Sequence, residues 1–180
     1  MTTERAAATL LIVLPLAFNL CFFLLGRSFD YPDILRRPTS EVLARFRAGG
    51  ARLLLLWWIF ALTAVLLAPL AVLLASALVG VNSSLVAVGA TTGVMAAVVQ
   101  FLGLIRWPFV VPYLARVDAD ASPARRETID IVFQSFHRYL GVAVGEHLGY
   151  LFTGAWSVLT PIAYVAWSLW LIVVGVALFL

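Results

Sequence analysis

The chain has 180 residues, 63% hydrophobic and 12% charged, with a mean hydropathy of +1.04 and a formal charge of +3. A soluble domain carries about 45–50% apolar and about 25% charged residues, so a single soluble core is excluded, and the hydrophobicity excludes a disordered chain. The basic residues are all Arg and number 12, too few and too confined to short stretches to argue for nucleic acid.

The expected partner is the lipid bilayer, and the expected class is an all-α, polytopic transmembrane helical bundle in one domain. Residues 6–26 form an apolar run longer than a signal-peptide core, with no small-residue cleavage site after it, and read as a retained first span. Its Cys21 is the sole cysteine, which rules out an intrachain disulfide. Next comes the turn Phe29-Asp30-Tyr31-Pro32-Asp33. There Asp30 and Asp33 pair with Arg36 and Arg37 in the simplest reading, and cation binding is the sharper alternative. Thr39-Ser40 then opens a short amphipathic helix, 39–49, with Val42, Leu43 and Phe46 opposite Arg45 and Arg47.

Residues 53–105 hold no charged side chain. One helix of that length would run about 80 Å, far beyond a hydrocarbon core of about 30 Å. The stretch must therefore fold back, and Gly80-Val81-Asn82-Ser83-Ser84 supplies the turn. The second span is then 51–78, kinked near Pro69, and the third is 84–106. Ser122-Pro123 suits a helix start. From there Ile129, Val132, Phe133, Phe136 and Leu140 recur at helical spacing opposite Arg126, Asp130, Gln134 and Arg138, marking an amphipathic helix over 123–138. It lies on the inner leaflet or presents a docking face. Residues 139–180 again exceed one span. Thr160-Pro161 divides them into spans 139–159 and 161–180, about five in all. The ending Val-Ala-Leu-Phe-Leu has no polar anchor, which fits a chain truncated at its C-terminus.

Arg placement sets the expected orientation. The stretch after the first span holds Arg27, Arg36, Arg37, Arg45, Arg47 and Arg52, and the stretch after the third holds Arg106, Arg116, Arg125, Arg126 and Arg138. Only Arg5 lies opposite, so both loops are expected in the cytoplasm and the N-terminus outside. Trp57, Trp58 and Trp107 would then form an inner aromatic belt, and Trp156, Trp167 and Trp170 an outer one.

Polar groups inside the spans are costly and tend to be functional. Counted from Arg27, Arg106 and Tyr139 at 1.5 Å per residue, Asn19 lies about 12 Å deep, Gln100 about 9 Å, Glu146 about 10 Å and His147 about 12 Å. Glu146, Gly149, Tyr150 and Thr153 share a helix face, whereas His147 points about 100° away. Asn19, Gln100, Glu146, His147 and Tyr150 are therefore the candidate intramembrane site. Gly141, Gly145 and Gly149, with Gly89 and Gly93, carry the small-xxx-small spacing of close helix contact. The same faces suit intrachain packing, a homo-oligomer or an unknown membrane partner. The polar layer reads in one of three ways. It holds helices together through mutual hydrogen bonds, it binds, senses or moves a small ligand or ion, or it supplies Glu146 and a His as acid and base of a membrane enzyme. A fourth reading is an interaction or assembly protein that presents its cytoplasmic loops. His137 and His147 lack metal-ligand spacing, no nucleophile elbow, P-loop or dinucleotide motif occurs, and no cofactor or metal is expected.

Three stretches carry a family resemblance: Phe29-Asp30-Tyr31-Pro32-Asp33-Ile34-Leu35-Arg36; Arg106-Trp107 with Val110-Val111-Pro112; and the run from His137-Arg138-Tyr139-Leu140-Gly141 through Gly145-Glu146-His147-Leu148-Gly149-Tyr150. Together they resemble the domain of unknown function 4386, a family of uncharacterised bacterial membrane proteins. The resemblance implies a multi-pass helical protein of the bacterial plasma (inner) membrane, in a family whose members run to further spans. It carries over no catalytic residue.

Overall fold

The computed structural model describes residues 2–78, 83–156 and 164–179, and among them the regular structure is helical, without strands. The first helix, α1 (Thr3–Phe29), starts at Thr2, whose hydroxyl accepts from the Arg5 N–H at 3.4 Å. It stops at Asp30, which takes the left-handed conformation (φ 59°) and donates its N–H to Gly26 O at 3.1 Å. A short 3₁₀ turn, Asp33–Arg36, follows.

Helix α2 (Thr39–Val65) contains one non-helical residue, Gly50, with φ 56° and ψ −149°. Only glycine reaches that region without strain. The charged opening segment and the apolar remainder are thus two rods joined at Gly50. At Leu66 the chain breaks again before α3 (Leu67–Ala77). This is the bend expected near Pro69: the proline has no N–H to offer the Val65 carbonyl, and its ring crowds it.

Helix α4 (Ser83–Asp118) corrects the expected end at Arg106. It runs straight through Pro108 and Pro112, each of which removes a backbone hydrogen bond. Tertiary packing outweighs that loss, because Trp107, Val111, Leu114 and Ala115 form a buried i, i+4, i+7, i+8 stripe. Arg106 therefore lies within a helix rather than at the start of a loop.

Ser122 caps α5 (Pro123–Phe136), accepting from the Arg125 N–H at 3.4 Å. The chain continues without a turn into a wide π-helical segment, His137–Leu148, and then α6 (Gly149–Trp156). Helix α7 spans Tyr164–Phe179. The proposed hairpin residues Gly80–Asn82 and the Thr160-Pro161 break lie outside the described residues. Among the described residues, three helical stretches are long and apolar enough to cross a membrane: Thr3–Phe29, Thr39–Ala77 and Ser83–Asp118.

One apolar cluster joins Leu11, Leu14, Leu67, Leu70, Ala97 and Leu171. The other, at the opposite end of α1, gathers Phe29, Ile34, Leu43, Phe46, Trp57, Trp107 and Phe133. Trp57 and Trp107 are fully buried and stacked, with ring centroids 4.3 Å apart and planes within 9°. This corrects their expected place in an interfacial belt. The inward faces of α2 and α4 meet there, and a large flat ring fills the gap best when it stacks on another. Trp58 is half-buried against Phe109. The side chains of Trp167 and Trp170 lie outside the description.

Charge gathers beside this second cluster. Arg37 and Arg45 share Asp30 (3.6 and 3.5 Å) and Glu41 (3.2 and 3.6 Å), and Arg36 pairs with Asp33 at 3.4 Å. Arg47 donates to Ala115 O at 2.7 Å. The buried Thr39 hydroxyl donates to Asp130 and accepts from Gln134 at 3.1 Å. The two Arg-bearing stretches thus sit at one end of the bundle.

Candidate functional site

The site begins with glycines. A Cβ built on Gly103 of α4 would stand 2.6 Å from Gly145 Cα, and one on Gly145 would stand 2.8 Å from Gly103 Cα. The two backbones are in direct contact, which only residues without a side chain permit. On either side of that contact, a Cβ at Gly141 would meet the Arg106 guanidinium at 2.7 Å, and one at Gly149 would meet Gln100 Cγ at 2.9 Å. Gly93 packs on α3, its Cβ position lying 2.7 Å from Ala71 Cβ. Gly89 does not share this role among the described residues: none of them lies within 4 Å of its Cβ position.

The wide helical segment explains how three glycines in steps of four meet one partner. In an α-helix a four-residue step overshoots a full turn by about 40°, so the stripe drifts around the helix. The π turn, closed by i→i+5 bonds, holds more residues and reduces the drift. Gly141 and Gly145 lie in this segment and Gly149 directly follows it.

Around this contact is a cavity of about 310 Å³. Asn19 comes to it from α1, Gln100 and Arg106 from α4, Glu146 from the π segment, Tyr150 from α6, and Tyr31 from the turn after α1. Phe18, Phe22 and Phe60 wall the apolar side. The Phe18 and Phe60 ring centroids are 4.7 Å apart, and Phe22 meets Tyr31 edge-on at 5.7 Å. Gln100 donates to Thr153 at 3.0 Å, a hydrogen bond that joins α4 to α6. Asn19 donates to Pro15 O of its own helix at 2.8 Å. Of the five polar candidates, His147 alone is not among the residues lining the cavity: it is exposed on another face of the π segment.

Arg106 and Tyr31 are the residues that depth counting misses. Arg106 is only 6% exposed. Its guanidinium donates to Gly103 O and to His137 Nδ1 (3.4 Å), and lies 5.4 Å from the Trp107 ring. Because Arg only donates, Nδ1 is the acceptor and His137 is neutral. Burial, then the charges of Arg106 and Arg138, push the His137 pKa down to about 4. Burial pushes the Tyr31 phenol up to about 12, with Arg106 partly opposing and Glu146 and Tyr150 adding to the rise.

The family model described as domain of unknown function (DUF4386) matches residues 6–164. The chain belongs to this family. No curated protein and no solved structure is matched by it. Every residue that lines the cavity falls inside the DUF4386 stretch. Within it, Gly103 and Arg106 stand about one helical turn apart, so the guanidinium lies beside the Gly103 contact.

Proposed function

We propose that this DUF4386 protein is a five-span protein of the bacterial plasma membrane that binds a small ligand in the cavity around Glu146, in order to sense or move it. In this reading the two Arg-rich stretches face the cytoplasm, with 39–49 and 123–138 lying along the inner leaflet. One observation carries the proposal: Asn19, Gln100, Glu146 and Tyr150, from four helical segments, converge on a cavity of about 310 Å³ that also holds Arg106. That volume is at the lower end of ligand-site sizes, and a mostly apolar wall with a few converging polar groups is their usual chemistry. Polar groups cost free energy at this depth, so their convergence calls for a use. An acid–base role for Glu146 would need a His within hydrogen-bond reach, and His147 points elsewhere.

The test is a melting-temperature screen of the purified chain in lipid nanodiscs against small metabolites of every charge class. A ligand at 100 times its Kd stabilises the folded state by about 2.7 kcal/mol. At least one class should raise the melting temperature of the unaltered protein and leave Glu146→Ala unmoved. If no class shifts it, or if Glu146→Gln and Glu146→Ala respond like the unaltered chain, the proposal fails.

A further inference from the structure

The charges around the cavity identify a ligand class. Arg106 and Glu146 both line it. Among the described residues no ion pair within 4.0 Å joins them. The guanidinium, 6% exposed, bonds to the neutral acceptors Gly103 O and His137 Nδ1, neither of which supplies an anion. A cation this deeply buried is costly without a touching counter-charge. The helices cannot close the gap by moving together, because their backbones already touch at Gly103 and Gly145. A buried guanidinium and a carboxyl side chain thus line one cavity without pairing directly.

The cavity is also lined by aromatic rings, those of Phe18, Phe22, Phe60 and Tyr31. Ring faces beside a carboxylate favour an ammonium group, and a guanidinium fork favours a carboxylate or a phosphate. We propose that the cavity takes a small zwitterion, its anionic group on Arg106 and its ammonium between Glu146 and the aromatic wall. This rests on the ligand-binding reading above. A cavity of about 310 Å³ is at the lower end of small-molecule sites, which suits an α-amino acid or the ethanolamine-phosphate end of a lipid. Both carry the same pair of charges.

Titration calorimetry on the purified chain in detergent tests this with L-leucine, with 3-methylbutylamine (the same molecule without its carboxylate) and with 4-methylpentanoate (without its amine). Leucine, or phosphoethanolamine in its place, should bind at least tenfold more tightly than either one-ended probe. Arg106→Gln should abolish the advantage over the amine, and Glu146→Gln the advantage over the acid. Repeating the titration in nanodiscs of phosphatidylethanolamine and of phosphatidylglycerol separates the sources. Weakening only in phosphatidylethanolamine identifies the lipid headgroup as the competing ligand, and equal affinity in both identifies a free zwitterion. Equal binding of two-ended and one-ended probes overturns the proposal, as does binding by none of them. If 3-methylbutylamine alone binds, through Glu146, the ligand-binding reading stands and the zwitterion falls. Should Arg106→Gln not fold, the comparison of probes on the unaltered chain decides.

Discussion

At the scale of single residues, the contact between Gly103 and Gly145 is backbone against backbone. A methyl group at either position would meet backbone at 2.6–2.8 Å, and backbone cannot turn aside as a flexible side chain can. Gly103→Ala and Gly145→Ala should each destabilise by about 1–3 kcal/mol, the range for overpacking, and lower the melting temperature in detergent. Gly89→Ala, with open space around its Cβ position, should leave it unchanged or raise it, since Ala favours helix by up to about 1 kcal/mol over Gly. The same measurement reads both outcomes.

His137 gives the pH dependence. Its folded pKa of about 4 lies below the ordinary imidazole value of 6.5. The folded state therefore binds its proton less readily, and the contribution of the neutral ring is complete above pH 6.5 and is lost as the pH falls towards 4. His137→Gln should flatten stability over that window, and a melt series from pH 8 to 4 shows it. Tyr150 comes from its shared face with Glu146. Depth counting groups Asn19, Gln100 and Glu146 because rise per residue is fixed by helix geometry, but it also admits His147, which depth alone cannot place on another face. It overlooks Arg106, because a charge in an apolar sequence reads as the end of a span. It overlooks Tyr31, because a turn residue carries no depth at all.

At the scale of elements, boundaries are legible where backbone chemistry forces them. Gly50 separates the opening segment of α2 from its apolar continuation, and Pro69 dictates the break at Leu66. The end of α4 is not legible. Pro108 and Pro112 signal a stop that the buried stripe from Trp107 to Ala115 overrides, and that stripe exists only once α2 and α5 are packed against it. The π turn is equally hidden, because nothing local selects it: the fit of Gly141 and Gly145 against α4 does. Gly50→Ala tests the clearest of these boundaries. The added methyl meets no neighbour, so any loss is conformational, and a residue held at φ 56° should cost about 1–3 kcal/mol. A smaller fall in melting temperature than that caused by Gly103→Ala would fit a strain confined to one joint, whereas no fall would mean that the kink is not required.

At the scale of the whole molecule, the two Arg-bearing stretches are linked to each other. Thr39 joins the start of α2 to Asp130 and Gln134 of α5, and Arg47 joins α2 to the end of α4. Whichever side of the membrane holds one stretch must hold the other. Eleven of the 12 Arg side chains belong to these stretches, and in the proposed orientation the positive-inside bias puts that end in the cytoplasm. The N-terminus follows by geometry: α1 runs from Thr3 to the charged end at Phe29, and its 27 residues cover about 40 Å, enough to cross the bilayer. Single-cysteine variants at Thr2, Arg36 and Arg125, made after Cys21→Ala, measure this directly with a membrane-impermeant thiol reagent on intact cells. The cysteine at position 2 should react at once, and those at 36 and 125 only after the membrane is opened. Labelling of all three in intact cells would break the proposed orientation. Labelling of 36 without 125 would be the more damaging result, because it would place on opposite sides of the membrane two stretches whose hydrogen bonds hold them at one end of the bundle.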